Sequence, residues 1–227
     1  MDSMDFSDIL ASSIHDIKNS LGLILNNLED LITNPDNHIA NPRQASLLQH
    51  EARRANSNLI QLLTLYKIGH EQLSMRVTAN NLDDFLDEVV AENHSVCRAL
   101  ELELSHRCAP DLEGYFDLEL VRSVLDSTIG NARRYARSRI ELSAAQEDGF
   151  LVIRVEDDGG GFPPALIGLL EYQPGEFAEA ANPGRTQLGL YFATRIAQLH
   201  RNGDLQGRIQ LVNAHHLTGG CFELWLP

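Results

Sequence analysis

From Leu10 onward, apolar residues recur at Leu10, Ile14, Ile17, Leu21, Ile24, Leu28 and Leu31, steps of four and three residues in alternation. Only an α-helix gathers such positions into one stripe, and a stripe this narrow is a seam that meets another helix. The run stops at Asn34-Pro35-Asp36-Asn37, with a further proline at Pro42; proline removes an amide donor and the cluster favours turns. The same spacing resumes at Leu48, Ala52, Ala55, Leu59, Leu62 and Tyr66, with Gly69 on the next seam position. Two helices of similar length joined by a short link make an antiparallel hairpin. A lone hairpin has too little interior to bury its seam, so pairing of two copies into a dimeric four-helix bundle is expected.

The rest of the composition limits what such a hairpin can serve. Across 227 residues the net charge is −14, from 18 Lys and Arg against 32 Asp and Glu. A surface that tracks nucleic-acid phosphates needs a basic footprint, so no nucleic-acid partner is expected. No stretch approaches the roughly 20 apolar residues that span a bilayer, and the acidic start MDSMDFSDIL is unlike a secretory signal. A cytoplasmic protein with no membrane partner is therefore expected. Cys97, Cys108 and Cys221 lie far apart with no CxxC spacing, and they read as ordinary buried thiols of a reducing compartment.

After Met75 the periodicity changes, which sets expected domains at 1–75 and 76–227. Leu82, Phe85, Leu86, Val89 and Val90 make a helix face, and Leu118 to Tyr135 reads as a long helix. Leu100 to Leu104, Ile140 to Leu142, Phe150 to Val155 and Cys221 to Leu226 read as strands, with another helix over Tyr191 to His200. Helices interleaved with a mostly antiparallel sheet predict an α+β sandwich behind the helical hairpin.

Three segments of this second part suit a phosphorylated, planar ligand. Gly130-Asn131-Ala132-Arg133-Arg134-Tyr135 ends a helix, where an amide oxygen can meet Mg²⁺ and an arginine can meet phosphate. Val155-Glu156-Asp157-Asp158-Gly159-Gly160-Gly161 follows a strand, so a carboxylate projects from the strand end beside glycines that admit close approach. Thr186-Gln187-Leu188-Gly189-Leu190 opens a helix, whose N-terminus favours phosphate. In the first helix, His15 sits beside the seam, with Lys18 and Asn19 three and four residues on and so neighbouring it on the surface.

In their order and spacing these segments resemble the catalytic core of two-component sensor histidine kinases, whose ATP-binding domain is of the GHKL or Bergerat type shared with gyrase B, the chaperone of the ninety-kilodalton class and a mismatch-repair ATPase. The likeness runs from His15 to the closing Gly219-Gly220-Cys221-Phe222 strand. It implies that Asn131 binds Mg²⁺, that Arg134 reaches phosphate, that Tyr135 lines the pocket, and that Asp157 accepts from the adenine amino group beside Gly159 and Gly161. Leu188, Gly189 and Leu190 would meet the triphosphate. His15 would be the phosphoacceptor, Asp16 its general base, and Asn19 the residue that orients water for dephosphorylation. Implied partners are a second copy of the chain, the receiver domain of a response regulator, and a separate sensor protein where no input region precedes the core; ATP and Mg²⁺ are the implied cofactors.

The likeness departs from the family pattern at three places. Ser127 stands where an additional asparagine is usual, Gln187 replaces a glycine, and the stretch Pro164 to Arg185 is short, with Phe177 lacking aromatic company. Two other readings accommodate those departures: a phosphotransferase or phosphatase that uses His15 and Asn19 on phosphate supplied by another kinase, and a non-enzymatic dimerising regulator of another kinase.

Overall fold

The structure is a computed structural model that describes residues 6–34, 36–37, 39–167 and 188–227, with the side chains of residues 6–12, 15, 42, 43, 46, 47 and 50 left aside. The chain divides into two compact units, Met1–Ser74 and Met75–Pro227.

The first unit is a pair of 28-residue helices, α1 over Phe6–Thr33 and α2 over Pro42–Gly69. Asn41 starts α2 by accepting from the Gln44 amide at 3.1 Å, with Pro42 at the first helical position where a missing N–H costs nothing. The four-three seam splits cleanly in the structure. Ile14, Leu21 and Leu28 on α1, with Ala52, Leu59 and Tyr66 on α2, are half-buried. The alternate seam positions Ile17, Ile24 and Leu31 on α1, and Leu48, Ala55 and Leu62 on α2, are exposed. Each helix therefore spends one half of its seam within the hairpin and leaves a seven-residue repeat of apolar side chains outside it.

The second unit is built on a five-stranded sheet in the order β2-β4-β5-β9-β8. Its strands are β2 (Glu103–Arg107), β4 (Arg139–Glu147), β5 (Phe150–Asp157), β8 (Arg208–Asn213) and β9 (Gly220–Leu226). β2 runs parallel to β4 and every other pairing is antiparallel. A two-stranded ribbon, β1 (Val77–Asn81) with β3 (Glu113–Asp117), and a small hairpin, β6 (Arg201–Asn202) with β7 (Leu205–Gln206), flank it. Among the described residues three α-helices complete the unit: α3 (Leu82–Ala99), α4 (Leu118–Tyr135) and α5 (Leu188–Leu199). Asn81 and Asp117 cap α3 and α4, accepting from the Asp84 and Leu120 amides.

Period-two alternation sorts the sheet into two faces. Leu142, Val155, Phe222 and Leu211 form one row of register partners and Ile153, Leu224 and Ile209 the next on the same face, buried with Leu82, Leu86, Leu125, Ile129, Phe192 and Ile196 of the helices. The other face is unusually polar for a buried one. Arg154 holds both oxygens of Glu147 and reaches Glu223 at 2.7 Å, Glu223 accepts from the Trp225 indole, and the Arg208 guanidinium covers the Phe150 and Trp225 rings. Arg154, Glu147 and Glu223 are paired with one another, which is the condition on which burial of charge is tolerated.

The expected strand at Leu100 to Leu104 starts later. Leu100 and Glu101 finish the turn after α3, Glu101 with a φ of 59°, and β2 begins at Glu103. The alternation was real, but the backbone reverses through its first two residues.

His200 ties α5 to the start of α4. Its Nε2 accepts from the Asp117 amide at 3.1 Å, and Nδ1 donates to the Ile196 carbonyl at 2.9 Å. Burial lowers its pKa below the ordinary 6.5, against the Ile196 bond and the Asp117 charge. The unfolded chain therefore takes up a proton first as pH falls. The contribution of His200 is complete above pH 6.5 and is lost below it, down through the lowered folded-state value. Urea unfolding followed by Trp225 fluorescence should show stability falling from pH 7 to pH 5, more steeply than in a His200→Gln protein, whose amide can make both bonds without titrating.

Candidate active site

Asp157 is the last residue of β5 and lies on the helix-facing row, opposite Ile140. Its buried Oδ1 accepts from the Gly159 amide at 2.7 Å, and its carbonyl accepts from Gly219 at 3.0 Å. Burial pushes the carboxyl up, the Gly159 and Gly220 amides pull it back, and the neighbouring Asp158 charge adds to the rise. This is a carboxylate held on a backbone frame, with acceptor capacity left over.

Around it the chain is packed too closely for side chains. A Cβ on Gly159 would sit 2.1 Å from the Tyr135 carbonyl oxygen, and one on Gly219 would sit 2.5 Å from the Asp157 carbonyl oxygen. Gly161 has a φ of +77°, and its Phe162 neighbour is clasped by Asn213, which accepts from the Phe162 amide at 2.7 Å and donates to its carbonyl at 3.0 Å.

Asp158 has a different task from Asp157. Its carboxylate accepts from the amides of Arg137, Ser138 and Arg139 and from the Ser138 hydroxyl, joining the turn after α4 to the end of β5. Partial burial alone would raise it, but those bonds hold it well below the usual carboxylate range.

The remaining motif meets α4 from the other side. Gly189, in the first turn of α5, is placed so that a Cβ would lie 3.0 Å from Ser127 Oγ and 3.7 Å from Asn131 Nδ2. Asn131 is exposed on α4, Arg134 and Tyr135 are exposed one turn on, and Leu188 and Leu190 are half-buried beside Gly189. Asn131, Tyr135, Asp157, Gly159 and Gly189 thus converge on one end of the sheet. Arg133, in the same motif, turns instead toward Asn93 of α3. Gln187, Phe177 and most of the stretch Pro164 to Arg185 fall within 168–187, outside the described residues.

The donor set fits a nucleotide. A buried carboxylate can accept from an exocyclic amine, glycine backbone can approach a purine, and an exposed asparagine amide lies beside the first turn of a helix where phosphate and Mg²⁺ can sit. Residues that sequence reasoning missed are Asn213, Gly219 and Gly220. The double glycine before an apolar strand was the available signal for two of them.

In the helical unit, His15 lies within α1 and its side chain is among those left aside; Asp16 and Asn19 are exposed on the same helix, Asn19 one turn beyond His15. Among the described residues no helix is long and apolar enough to cross a membrane.

Residues 116–227 match the family described as histidine kinase-, DNA gyrase B-, and HSP90-like ATPase. The virulence sensor histidine kinase PhoQ of Salmonella typhimurium is 27% identical over 136 residues, 60% of this chain and 26% of PhoQ. The sensor histidine kinase CpxA of Escherichia coli is 27% identical over 191 residues, 82% of this chain and 40% of CpxA. The chain therefore spans well under half the length of either relative. Among solved structures, full-length ShkA in complex with AMPPNP shares the fold with a TM-score of 0.63 at 20% identity, over 96% of this chain and 44% of ShkA. Residues 116–227 belong to the histidine kinase-, gyrase B- and HSP90-like ATPase family, and over a longer span the chain is similar to sensor histidine kinases.

Proposed function

We propose that this chain is the core of a two-component histidine kinase, with residues 1–75 as dimerisation and phosphotransfer hairpin and residues 76–227 as ATP-binding catalytic domain. The observation that carries this is the meeting of Asn131 with Gly189 and of Tyr135 with Gly159 beside Asp157, three separate sequence motifs brought to one end of the sheet. Asp157 receives the adenine amino group, with Gly159 and Gly161 beside the purine and Tyr135 lining the pocket. Leu188, Gly189 and Leu190 meet the triphosphate and Arg134 a phosphate oxygen. Asn131 would hold Mg²⁺ through its amide oxygen, and the ion would supply neutralisation of the phosphate charge.

The nucleophile is a neutral imidazole nitrogen of His15. It forms a bond to the γ-phosphorus as the bond to the bridging oxygen breaks and ADP departs, and Asp16 accepts the proton from the other ring nitrogen. The phosphoryl group then passes to an aspartate of a response regulator docked on the hairpin. The exposed repeat Ile17, Ile24, Leu31 on α1, matched by Leu48 and Leu62 on α2, supports a homodimer in which two hairpins complete a four-helix bundle.

Asn19, exposed one turn from His15, orients a water against the regulator's acyl phosphate and gives the same surface a phosphatase activity. An Asn19→Ala protein should take label from ATP as the unmodified chain does and lose regulator dephosphorylation. Dephosphorylation at the unmodified rate would remove Asn19 from this role.

A further inference from the structure

Behind the nucleotide pocket, on the opposite face of the sheet, lies a second cluster of chemically active side chains. Glu156 of β5 and Cys221 of β9 are direct register partners, and both are buried. The turn that leads into β9 folds back over them, so that His215 Nδ1 lies 2.9 Å from Glu156 Oε1. Carboxylate, imidazole and thiol each offer one ligand atom, and the three atoms lie within 4.8 Å of one another. His215 itself is 39% exposed and opens the cluster to solvent.

The carboxylate is already aimed. Its Oε2 accepts from the His216 and Leu217 amides at 2.8 and 3.1 Å, which leaves Oε1 to face the imidazole. This is how outer-shell bonds orient a metal ligand, with one oxygen held by backbone and the other presented inward. A turn that needed only an anchor has one in Oε2. The thiol opposite Glu156 adds nothing to that anchoring, and the Oε1–Nδ1 pair adds a second polar contact where one suffices.

The geometry points to a divalent metal site formed by Glu156, His215 and Cys221, with solvent in the fourth position. Mixed thiolate, imidazole and carboxylate ligation suits a borderline-soft ion of the zinc or cobalt class better than Mg²⁺ or Ca²⁺, which take all-oxygen shells. Bonds of about 2.0–2.3 Å to the three atoms require separations near 3–4 Å, within reach of small side-chain rotations from those observed. On binding, the ion takes the place of the proton shared by Nδ1 and Oε1, which passes to the ring's Nε2, and the Cys221 thiol releases its proton to solvent. The surrounding charge favours a dication: Glu223 and Asp157 add their carboxylates near Cys221, and Arg154, itself engaged by Glu147 and Glu223, is the cation nearby. Glu141, 3.5 Å from His216 Nε2, borders the same turn.

The test is a titration of the full chain with Co²⁺ under a thiol-free reductant, followed in the near ultraviolet and visible. One equivalent should bind with a thiolate-to-cobalt charge-transfer band and the visible bands of a tetrahedral ion. His215→Ala, on an exposed turn that leaves the sheet intact, should weaken binding on the order of tenfold or more. Cys221→Ser, checked for folding by circular dichroism, should abolish the charge-transfer band, while His94→Ala on α3 should change neither. Cobalt bound without the thiolate band, or bound equally by the unmodified and His215→Ala chains, would overturn the site.

Discussion

An Asp157→Asn protein is expected to fold as the unmodified chain does and to lose nucleotide affinity by about a hundredfold or more. The reason lies in which atoms surround the carboxylate. Oδ1 accepts the Gly159 amide at 2.7 Å, the Gly220 amide also bonds the carboxylate, and a lone pair remains for a ligand amine. An asparagine has one acceptor in place of two. If its oxygen stays with Gly159, an NH₂ group faces the adenine amine, donor against donor; if it flips, the NH₂ group faces the Gly159 N–H. Either way one buried donor goes unpaired, at a cost of about 1–3 kcal/mol beyond the bond lost to the ligand. The backbone bond from Gly219 to the Asp157 carbonyl is unaffected, which is why the fold should persist. Titration with a fluorescent adenine nucleotide, beside a urea curve for each protein, separates lost binding from lost structure.

How much of this could be read from sequence depends on the range of the interaction concerned. The helices α1 and α2 were legible because their seam repeats within each helix, and α4 was legible to the residue, since Asp117 caps it at one end and the apolar period stops at Tyr135 at the other. The ribbon strands β1 and β3 were missed. They are five residues each, with exposed polar positions, and they exist through pairing across some 35 residues of sequence, which no local pattern reports. Strand β8 was missed for a related reason: its partner β9 is strongly apolar, and β8 itself alternates with Arg208 and Gln210 that serve the polar face.

The site divides in the same way. Asp157 and its glycines announced themselves by position after a strand, yet Asp157 and Asp158 are chemically identical in the sequence. Only the fold shows that one is buried on the helix-facing row while the other ties off the turn at Arg137 to Arg139. Asn213 carried no signal at all, because its task is to grip the backbone of Phe162, 51 residues away. The same holds for Glu156 and His215, whose approach depends on a turn closing over the far face of the sheet.

Loss of phosphorylation in a His15→Gln protein is the largest effect expected, because glutamine keeps the size and polarity of the side chain and removes the only nucleophilic nitrogen at that position. Nothing else in the proposed pathway substitutes for it: positioning and charge neutralisation speed a transfer to an oriented nucleophile and supply no acceptor of their own. The direct measurement is incubation of the purified chain with γ-labelled ATP and Mg²⁺, beside His15→Gln, followed by acid and base treatment of the labelled product. Label that is acid-labile, base-stable and absent from the variant is the expected result; label that persists in the variant, or none on a folded chain that binds nucleotide, would contradict a histidine autokinase.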